Sequence, residues 1–350
     1  MSKYLKSFLK YATIWTIAIS FWSIMRQFGQ ELVDEPQVND FATYAMFHIS
    51  LGIIASLIFT ATDVPTRIFL NRFRAFGSQV LASSIVNLII FLVLIYSGII
   101  VYNLFQNAST KPGDVLLFFQ TGEGFLLLFY CYLVSFFTKF VEQVDRKFGP
   151  GNLIKMLLGV FQKPKEVERV FLFLDLTSST TIAEKIGHYR YSELIQDCFL
   201  DLNIVEQFRG DIYQYVGDEA VITWDVKNAL YQSNAIQFFF AFQDRLQSKR
   251  DYYLEKYEVF PEFKGGMNFG KIMMAEVGEI KREIAYHGDT INVASRIQGL
   301  CNDYKEKLLI AESFYLLIGK DDNYKMNFLD YVTLKGKEKS INVYSISRYE

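Results

Sequence analysis

Four apolar runs in the first 138 residues constrain this chain more than any other feature of its sequence. They cover residues 8–28, 41–61, 80–103 and 115–138. Each is long enough for a helix to cross a bilayer, which takes roughly 20 residues. A helix apolar on every side must be covered by something equally apolar, either lipid or the interior of a larger protein. The membrane reading predicts a four-span α-helical domain over residues 1–138. The alternative is a buried helical domain. The first run is too long and too aromatic for a cleaved signal peptide and lacks a small-residue cleavage site.

Flanking charge predicts the orientation. Lys3, Lys6 and Lys10 accompany the first run, and the next connection carries Glu31, Asp34, Glu35 and Asp40. Arg67, Arg72 and Arg74 follow the second run, Lys111 and Asp114 the third, and Arg146, Lys147 and Lys155 the fourth. Basic residues thus mark alternate sides, which places both ends of the domain in the cytoplasm of a multi-pass protein of the cell membrane, with lipid as its surroundings. Two ionisable residues fall inside the runs, His48 and Glu123, both about 10–12 Å below the outer surface at 1.5 Å per residue. Either they pair and line a pocket for an unknown membrane or extracytoplasmic ligand, or Glu123 sits at a bent helix end between Gly122 and Gly124 while His48 makes one interhelical hydrogen bond.

The chain is 51% hydrophobic with 33 Phe and 22 Tyr; the long apolar runs lie in its N-terminal part, while the part after about Lys163 has ordinary charge density. The formal net charge of -2 gives no bulk electrostatic ground for binding nucleic acid. Cys131, Cys198 and Cys301 have no metal or redox spacing and read as reduced packing residues. Three His are too few for a His-rich metal site. Residues 139–165 read as a cytoplasmic coupling bridge. The fourth helix continues to Lys147, Gly149-Pro-Gly-Asn152 breaks it, an apolar stretch from Leu153 to Phe161 suits a partner or the membrane surface, and Pro164 closes it.

Residues 166–350 have the pattern of an α+β sandwich. An apolar strand, Val170 to Leu176, ends on Asp175 and opens into Thr177, Ser178, Ser179 and Thr180. A buried carboxylate needs a partner, and the amide groups of a following helix can hold an anion. An ordinary strand-to-helix turn fits the same residues. Helices are expected over 181–186 and 191–208. Residues 210–224 read as a β-hairpin with Gly217-Asp218 at its tip. A long helix over 228–254 follows, then strands at 263–270 and 272–277, and a helix starting near Asp289 as N-cap. A strand at 308–311, a helix at 312–317 and strands at 328–334 and 341–347 complete the pattern. Frequent hairpins favour an α+β sandwich over a doubly wound sheet. Two carboxylates, Asp175 and Asp218, at the ends of neighbouring strands can bridge two divalent cations, and Mg²⁺ suits a site completed by substrate phosphates. Gly-Asp tips are also common as plain turns.

Four motifs in order carry a resemblance: Phe173-Leu-Asp-Leu-Thr-Ser-Ser-Thr180, Val216-Gly-Asp-Glu219, His287-Gly-Asp-Thr-Ile-Asn-Val-Ala-Ser-Arg296 and Leu334-Lys-Gly-Lys337. Together they resemble the class III adenylate/guanylate cyclase catalytic domain, a ferredoxin-like or palm-type α+β sandwich. The resemblance implies Asp175 and Asp218 as metal ligands for Mg²⁺ or Mn²⁺, two per site. It implies that Asn292 and Arg296 orient the ribose and stabilise the transition state. It also implies a triphosphate contact from Lys335 and a phosphate-wrapping turn at Ser178, Ser179 and Thr180. Lys281 or Arg282 match a further phosphate contact loosely. The substrate implied is ATP or GTP. Because family sites lie between two catalytic domains and this chain carries both residue sets, a homodimer with two equivalent sites is expected.

The match departs from the family at the two base-reading positions. Gln214 stands where adenylate cyclases commonly have Lys and guanylate cyclases Glu, and Ala285 where adenylate cyclases commonly have Asp or Thr. Gln can serve either purine, and Ala offers the base no side-chain hydrogen bond. ATP is favoured because adenylate cyclases dominate the simple bacterial members, with GTP the alternative. Two other classes compete: a degenerate cyclase domain serving as a nucleotide-binding or dimerisation module, and a transporter with a soluble regulatory domain. The five main catalytic side chains are all present, and two ionisable residues make a thin transport path.

Overall fold

The computed structural model describes residues 3–30, 49, 52–57, 59–61, 76–106, 117, 119–149, 151–280, 282–319, 321–333 and 340–349. The chain divides into two compact units, Met1–Lys147 and Phe148–Glu350.

The first unit is helical: α1 (Lys3–Gln30), α2 (Phe76–Gln106) and α3 (Gly122–Phe148), with further helical turns at 52–57 and 59–61. Among the described residues, two helices are long and apolar enough to cross a membrane, over Phe76–Val93 and Gly124–Asp145. Only 22% of each window is buried, so most of their apolar surface faces outward. This supports two of the four expected spans. His48 and the Glu123 side chain lie outside the described residues, and with them both readings of that pair. The interior is aromatic. Trp15 stacks on Phe59 at 4.8 Å and on Phe91 at 5.5 Å, and the Tyr130 hydroxyl donates to the Ala18 carbonyl at 2.8 Å.

A charged clasp joins α1 to the end of α3. Glu142 accepts from Lys10 Nζ at 2.6 Å, Tyr11 Oη at 3.0 Å and Lys139 Nζ at 3.1 Å, and Lys139 also donates to Tyr11 Oη at 2.8 Å. Tyr11, Lys139 and Glu142 are buried. Charges taken out of water persist only when paired and hydrogen-bonded, and here Tyr11, Lys139 and Glu142 each make at least two of these bonds. Close by, Gln143 donates to Gln79 at 2.8 Å and ties α2 to the same stretch of α3.

The second unit begins with α4 (Asn152–Leu157), whose Ile154 and Leu157 are exposed. Then come β1 (Lys165–Leu176), α5 (Ser179–Ile186), α6 (His188–Asp201), a 3₁₀ segment (Leu202–Phe208), β2 (Asp211–Val216), β3 (Glu219–Asp225) and α7 (Val226–Leu230). After a 3₁₀ turn follow α8 (Asn234–Ser248), α9 (Arg250–Tyr257), β4 (Phe263–Val277), β5 (Glu283–His287), α10 (Asp289–Gly299), α11 (Cys301–Tyr304), β6 (Leu308–Ala311), α12 (Glu312–Ile318), β7 (Tyr324–Val332) and β8 (Ile341–Arg348).

The strands form one sheet in the order β2-β3-β1-β4-β6-β8-β7, with β5 paired to the far end of β4. Among the described strands only β4 and β6 pair in parallel and the other pairs are antiparallel, which suits an α+β arrangement and not a doubly wound sheet. The alternation of β1 assigns its faces. Val170, Leu172, Leu174 and Leu176 enter the larger core with Trp224, Phe238, Phe239 and Phe242. Phe171 and Phe173 enter a smaller core with Val221, Ile272 and Ala294 of α10. On β4 the α10 side is stripped of bulk at Gly266 and Gly270. A Cβ at Gly266 would stand 2.3 Å from the Gln298 amide nitrogen, so α10 lies backbone to backbone on the strand. Asn268 Nδ2 donates to the Thr290 carbonyl at 2.8 Å beneath the same helix.

Several element expectations are corrected. The helix expected over 228–254 is broken, because Gln232 and Ser233 have positive φ (52° and 53°) and Lys249 separates α8 from α9. The strands expected at 263–270 and 272–277 are one strand. Its hairpin partner β5 has only five residues and escaped the pattern. Gly288, not Asp289, is the N-cap of α10, and no side chain caps it. The three cysteines are free and buried.

Candidate active site

Asp175 lies one residue from the end of β1, with Glu219 of β3 and Lys264 of β4 as its register partners. Alternation puts it on the Phe171–Phe173 face, beneath α10. Asp218 occupies the Gly217-Asp218 tip of the β2–β3 hairpin, where Gly217 takes φ 63° and its missing Cβ permits the turn. The two aspartates are therefore brought together, as their motifs suggested, and Glu219 joins them.

The electrostatics are those of crowded like charge. Burial, and then the neighbouring Asp218, push the Asp175 carboxyl up; Lys264 and Gln298 only partly offset this. Lys264 Nζ is 3.4 Å from Asp175 Oδ2, and Gln298 Nε2 donates to the same oxygen at 3.0 Å. Glu219 is pushed up to about 7 by burial, with Asp175 and Asp218 adding to it. An oxygen-only donor set whose negative charge is only partly offset fits a hard divalent cation of the Mg²⁺ or Mn²⁺ type. Among the described residues no cluster of three or more His, Cys, Asp or Glu forms a ready-made metal cage, so substrate oxygens would have to complete the coordination.

The turn beside the carboxylates suits an anion. Ser178 is exposed and left-handed (φ 57°, ψ 33°), and its side chain makes no capping bond to α5. The first-turn amides of Ser179 and Thr180 are thus not engaged by a cap. Tyr191 of α6 lies near Ser179 and Asp218, and burial followed by the Asp218 charge pushes its phenol up to about 12. α6 is itself anchored. Asp197 accepts from Tyr252, Lys256 and Tyr257, and Asp201 from Arg245, Lys249 and Tyr253.

Asn292 and Arg296 stand four residues apart on α10, Asn292 exposed and Arg296 half-buried, while Val293, Ala294, Ile297 and Gln298 face inward. Among the described hydrogen bonds and ion pairs, none joins Asn292 or Arg296 to Asp175 or Asp218. Gln214 is exposed on β2 beside the bulge at Tyr213, and Ala285 is half-buried on β5 opposite Ala275. Their neighbours meet: the Tyr213 and Tyr286 rings lie 4.7 Å apart, and the Tyr286 amide donates to Tyr213 Oη at 3.4 Å. Lys335 and Lys281 lie outside the described residues. Arg282 is exposed and pairs with Glu276 at 3.8 Å. Glu219, Lys264, Gln298 and Tyr191 are additions to the sequence reading. Only Glu219 sat inside a motif.

A family model of the adenylate and guanylate cyclase catalytic domain matches residues 160–348. Adenylate cyclase 2 of Rhizobium meliloti (strain 1021) is 31% identical over 209 residues, covering 59% of this chain and 58% of the relative. An adenylate cyclase of Anabaena cylindrica is 26% identical over 228 residues, covering 60% and 44%. The chain thus spans about half the length of these relatives. A solved bacterial light-regulated adenylyl cyclase superposes with a TM-score of 0.54 at 16% identity, covering 65% of this chain and 67% of that one, a likeness of fold.

Proposed function

The chain belongs to the adenylate and guanylate cyclase catalytic domain family, and on that premise we propose that it is a membrane-anchored adenylate cyclase, converting ATP to 3′,5′-cyclic AMP and pyrophosphate. The observation that carries this reading is the meeting of Asp175 and Asp218 beside the uncapped Ser178–Thr180 turn. The adenylate cyclase relatives support ATP over GTP. Residues 1–138 are read as a four-span membrane domain, 139–165 as a coupling bridge and 166–350 as the catalytic domain facing the cytoplasm. The outward apolar surface of α2 and α3 supports the membrane placement.

In this reading Asp175 and Asp218 would hold two divalent cations. When bound, these supply the acidity that frees the ribose 3′-hydroxyl and the charge that offsets the departing pyrophosphate. The chain's own residues do the rest. The amides of Ser178, Ser179 and Thr180 hold phosphate oxygens in place, and Lys335 adds positive charge to the triphosphate. Asn292 fixes the ribose, which sets the attacking oxygen in line with the α-phosphorus. Arg296 neutralises the charge that builds on the phosphates as the bond breaks. Gln214 and Ala285 flank the purine, with Gln214 able to turn its amide to either base. No side-chain general base is needed. The sites are shared within a homodimer, aspartates from one chain and Asn292 with Arg296 from the other.

The test uses the full chain in detergent with Mg²⁺ or Mn²⁺ and either ATP or GTP. Cyclic AMP from ATP is expected. Cyclic GMP from GTP, with no cyclic AMP from ATP, would reverse the base assignment, and no product from a folded dimer would overturn the enzymatic reading. Asp175→Ala and Arg296→Ala should each be inactive, yet recover up to about a quarter of native activity on co-expression, because random pairing makes half the dimers mixed and each mixed dimer has one intact site. No recovery would argue against shared sites.

A further inference from the structure

Among the described residues of α10, Gln298 is the side chain that reaches the carboxylates of its own chain. It is buried, 6% exposed, and Nε2 donates to Asp175 Oδ2 at 3.0 Å. Its backbone is pressed onto Gly266, where a Cβ would stand 2.6 Å from the Gln298 Cα. The donor therefore has little freedom to follow a moving carboxylate. Lys264 Nζ approaches the same oxygen at 3.4 Å, and no described hydrogen bond engages Oδ1. An ionised carboxylate accepts only, so the contact requires the amide nitrogen.

We propose that Gln298 is the positioning residue of Asp175: it holds Oδ2 so that the carboxylate presents Oδ1 to the metal-binding side. This rests on the reading of Asp175 as a metal ligand and of the sites as shared between chains. It gives α10 two separate duties. Gln298 orients the aspartate of its own chain, and Asn292 and Arg296 act at the site built on the neighbour's aspartates. The rigid seat of α10 on Gly266 serves both.

The test is Gln298→Met in the full chain, which keeps length and apolar packing and removes the donor. Losing a hydrogen bond to a charged group should weaken binding about tenfold. The first readout is Mn²⁺ affinity in the presence of 2′,3′-dideoxyATP, measured by electron paramagnetic resonance without turnover. A tenfold loss with an unaltered melting profile is expected; native affinity overturns the proposal. The second readout separates positioning from general damage to α10. In the mixed dimer of Asp175→Ala and Arg296→Ala chains, the intact site takes Asp175 from the Arg296→Ala chain. Gln298→Met should cost that site at least fivefold more activity in the Arg296→Ala chain than in the Asp175→Ala chain. Equal losses would mean that the substitution acts on the helix and not on Asp175. A mixed dimer inactive with native Gln298 would sink the shared-site reading instead, and the Mn²⁺ titration would then decide on Gln298 alone.

Discussion

Gly266→Ala should damage both stability and the site, while the same exchange at Gly299 should not. At Gly266 the new Cβ would stand 2.3 Å from the Gln298 amide nitrogen and 2.6 Å from the Ala294 carbonyl oxygen. Comfortable contacts need about 3.5 Å or more, so α10 must lift by roughly 1 Å. These neighbours are backbone atoms and cannot turn aside as a side chain would. Overpacking of this kind costs about 1–3 kcal/mol, and the upper end applies here. Removing a glycine from a strand returns about 0.5–1 kcal/mol. The net loss is about 2 kcal/mol, or about 4–8 °C in the melting of a unit this size. Gly299 also lies on α10, with nothing within 4 Å of an added Cβ and no positive φ; alanine there should raise stability by up to about 1 kcal/mol. A lift of 1 Å also carries Arg296 and Gln298 off position, worth on the order of 100-fold in turnover. Scanning calorimetry and cyclic-nucleotide production on the two variants, side by side, read both effects. Gly266→Ala melting at or above the native temperature, or turning over at the native rate, would refute the close-packed seat of α10.

Other perturbations probe the scaffold. Burial acts to raise Asp197, but hydrogen bonds from Lys256, Tyr257 and Tyr252 win and hold its carboxyl below the usual range. A depressed folded value gives stability that is present above the unfolded value of about 3.9 and lost as pH falls through the folded one. Native protein should therefore exceed Asp197→Asn by about 1–2 kcal/mol at pH 7, with the gap closing below about pH 4 in denaturant titrations. Glu142→Gln leaves Lys139 buried at 7% exposure beside Lys10. It should cost the helical unit about 3 kcal/mol, and the double change Lys139→Met with Glu142→Met should recover most of it, read by unfolding in mixed detergent. Trp224→Phe loses the indole donation to the Phe208 carbonyl (3.0 Å) and opens space below Gly210. A cost of about 2–3 kcal/mol is expected in the same calorimetry.

What the sequence disclosed was local or carried in motifs. Asp175 at a strand end, Asp218 at a hairpin tip and the Asn292–Arg296 spacing are each set within a few residues. The contacts that join them are not. Gln298 and Asp175 lie 123 residues apart, and no periodicity announces their meeting. Lys10 and Glu142 lie 132 apart, and Lys10 read only as a flanking charge. Lys264 looked like an ordinary strand residue because its role comes from register with Asp175. The long helix expected after residue 228 failed for a different reason: Gln232 and Ser233 adopt a conformation costly for residues with a Cβ, held by surroundings such as the Ser233–Asp321 hydrogen bond.

The central place of β1 has a consequence for how the chain is made. Its two edges are filled by β3 and by β4, and Lys165 is paired with Met274. On a ribosome adding about 5–20 residues per second, on the order of 100 residues must follow before that second edge can close, an interval of roughly 5–20 s. Through that interval Val170, Phe171, Leu172, Phe173 and Leu174, all buried in the finished sheet, form an apolar β-prone segment with an open edge. Slower initiation, lower temperature or abundant chaperone during expression should therefore improve yield more than any change in purification. Truncations ending before Val277 should collect in the insoluble fraction.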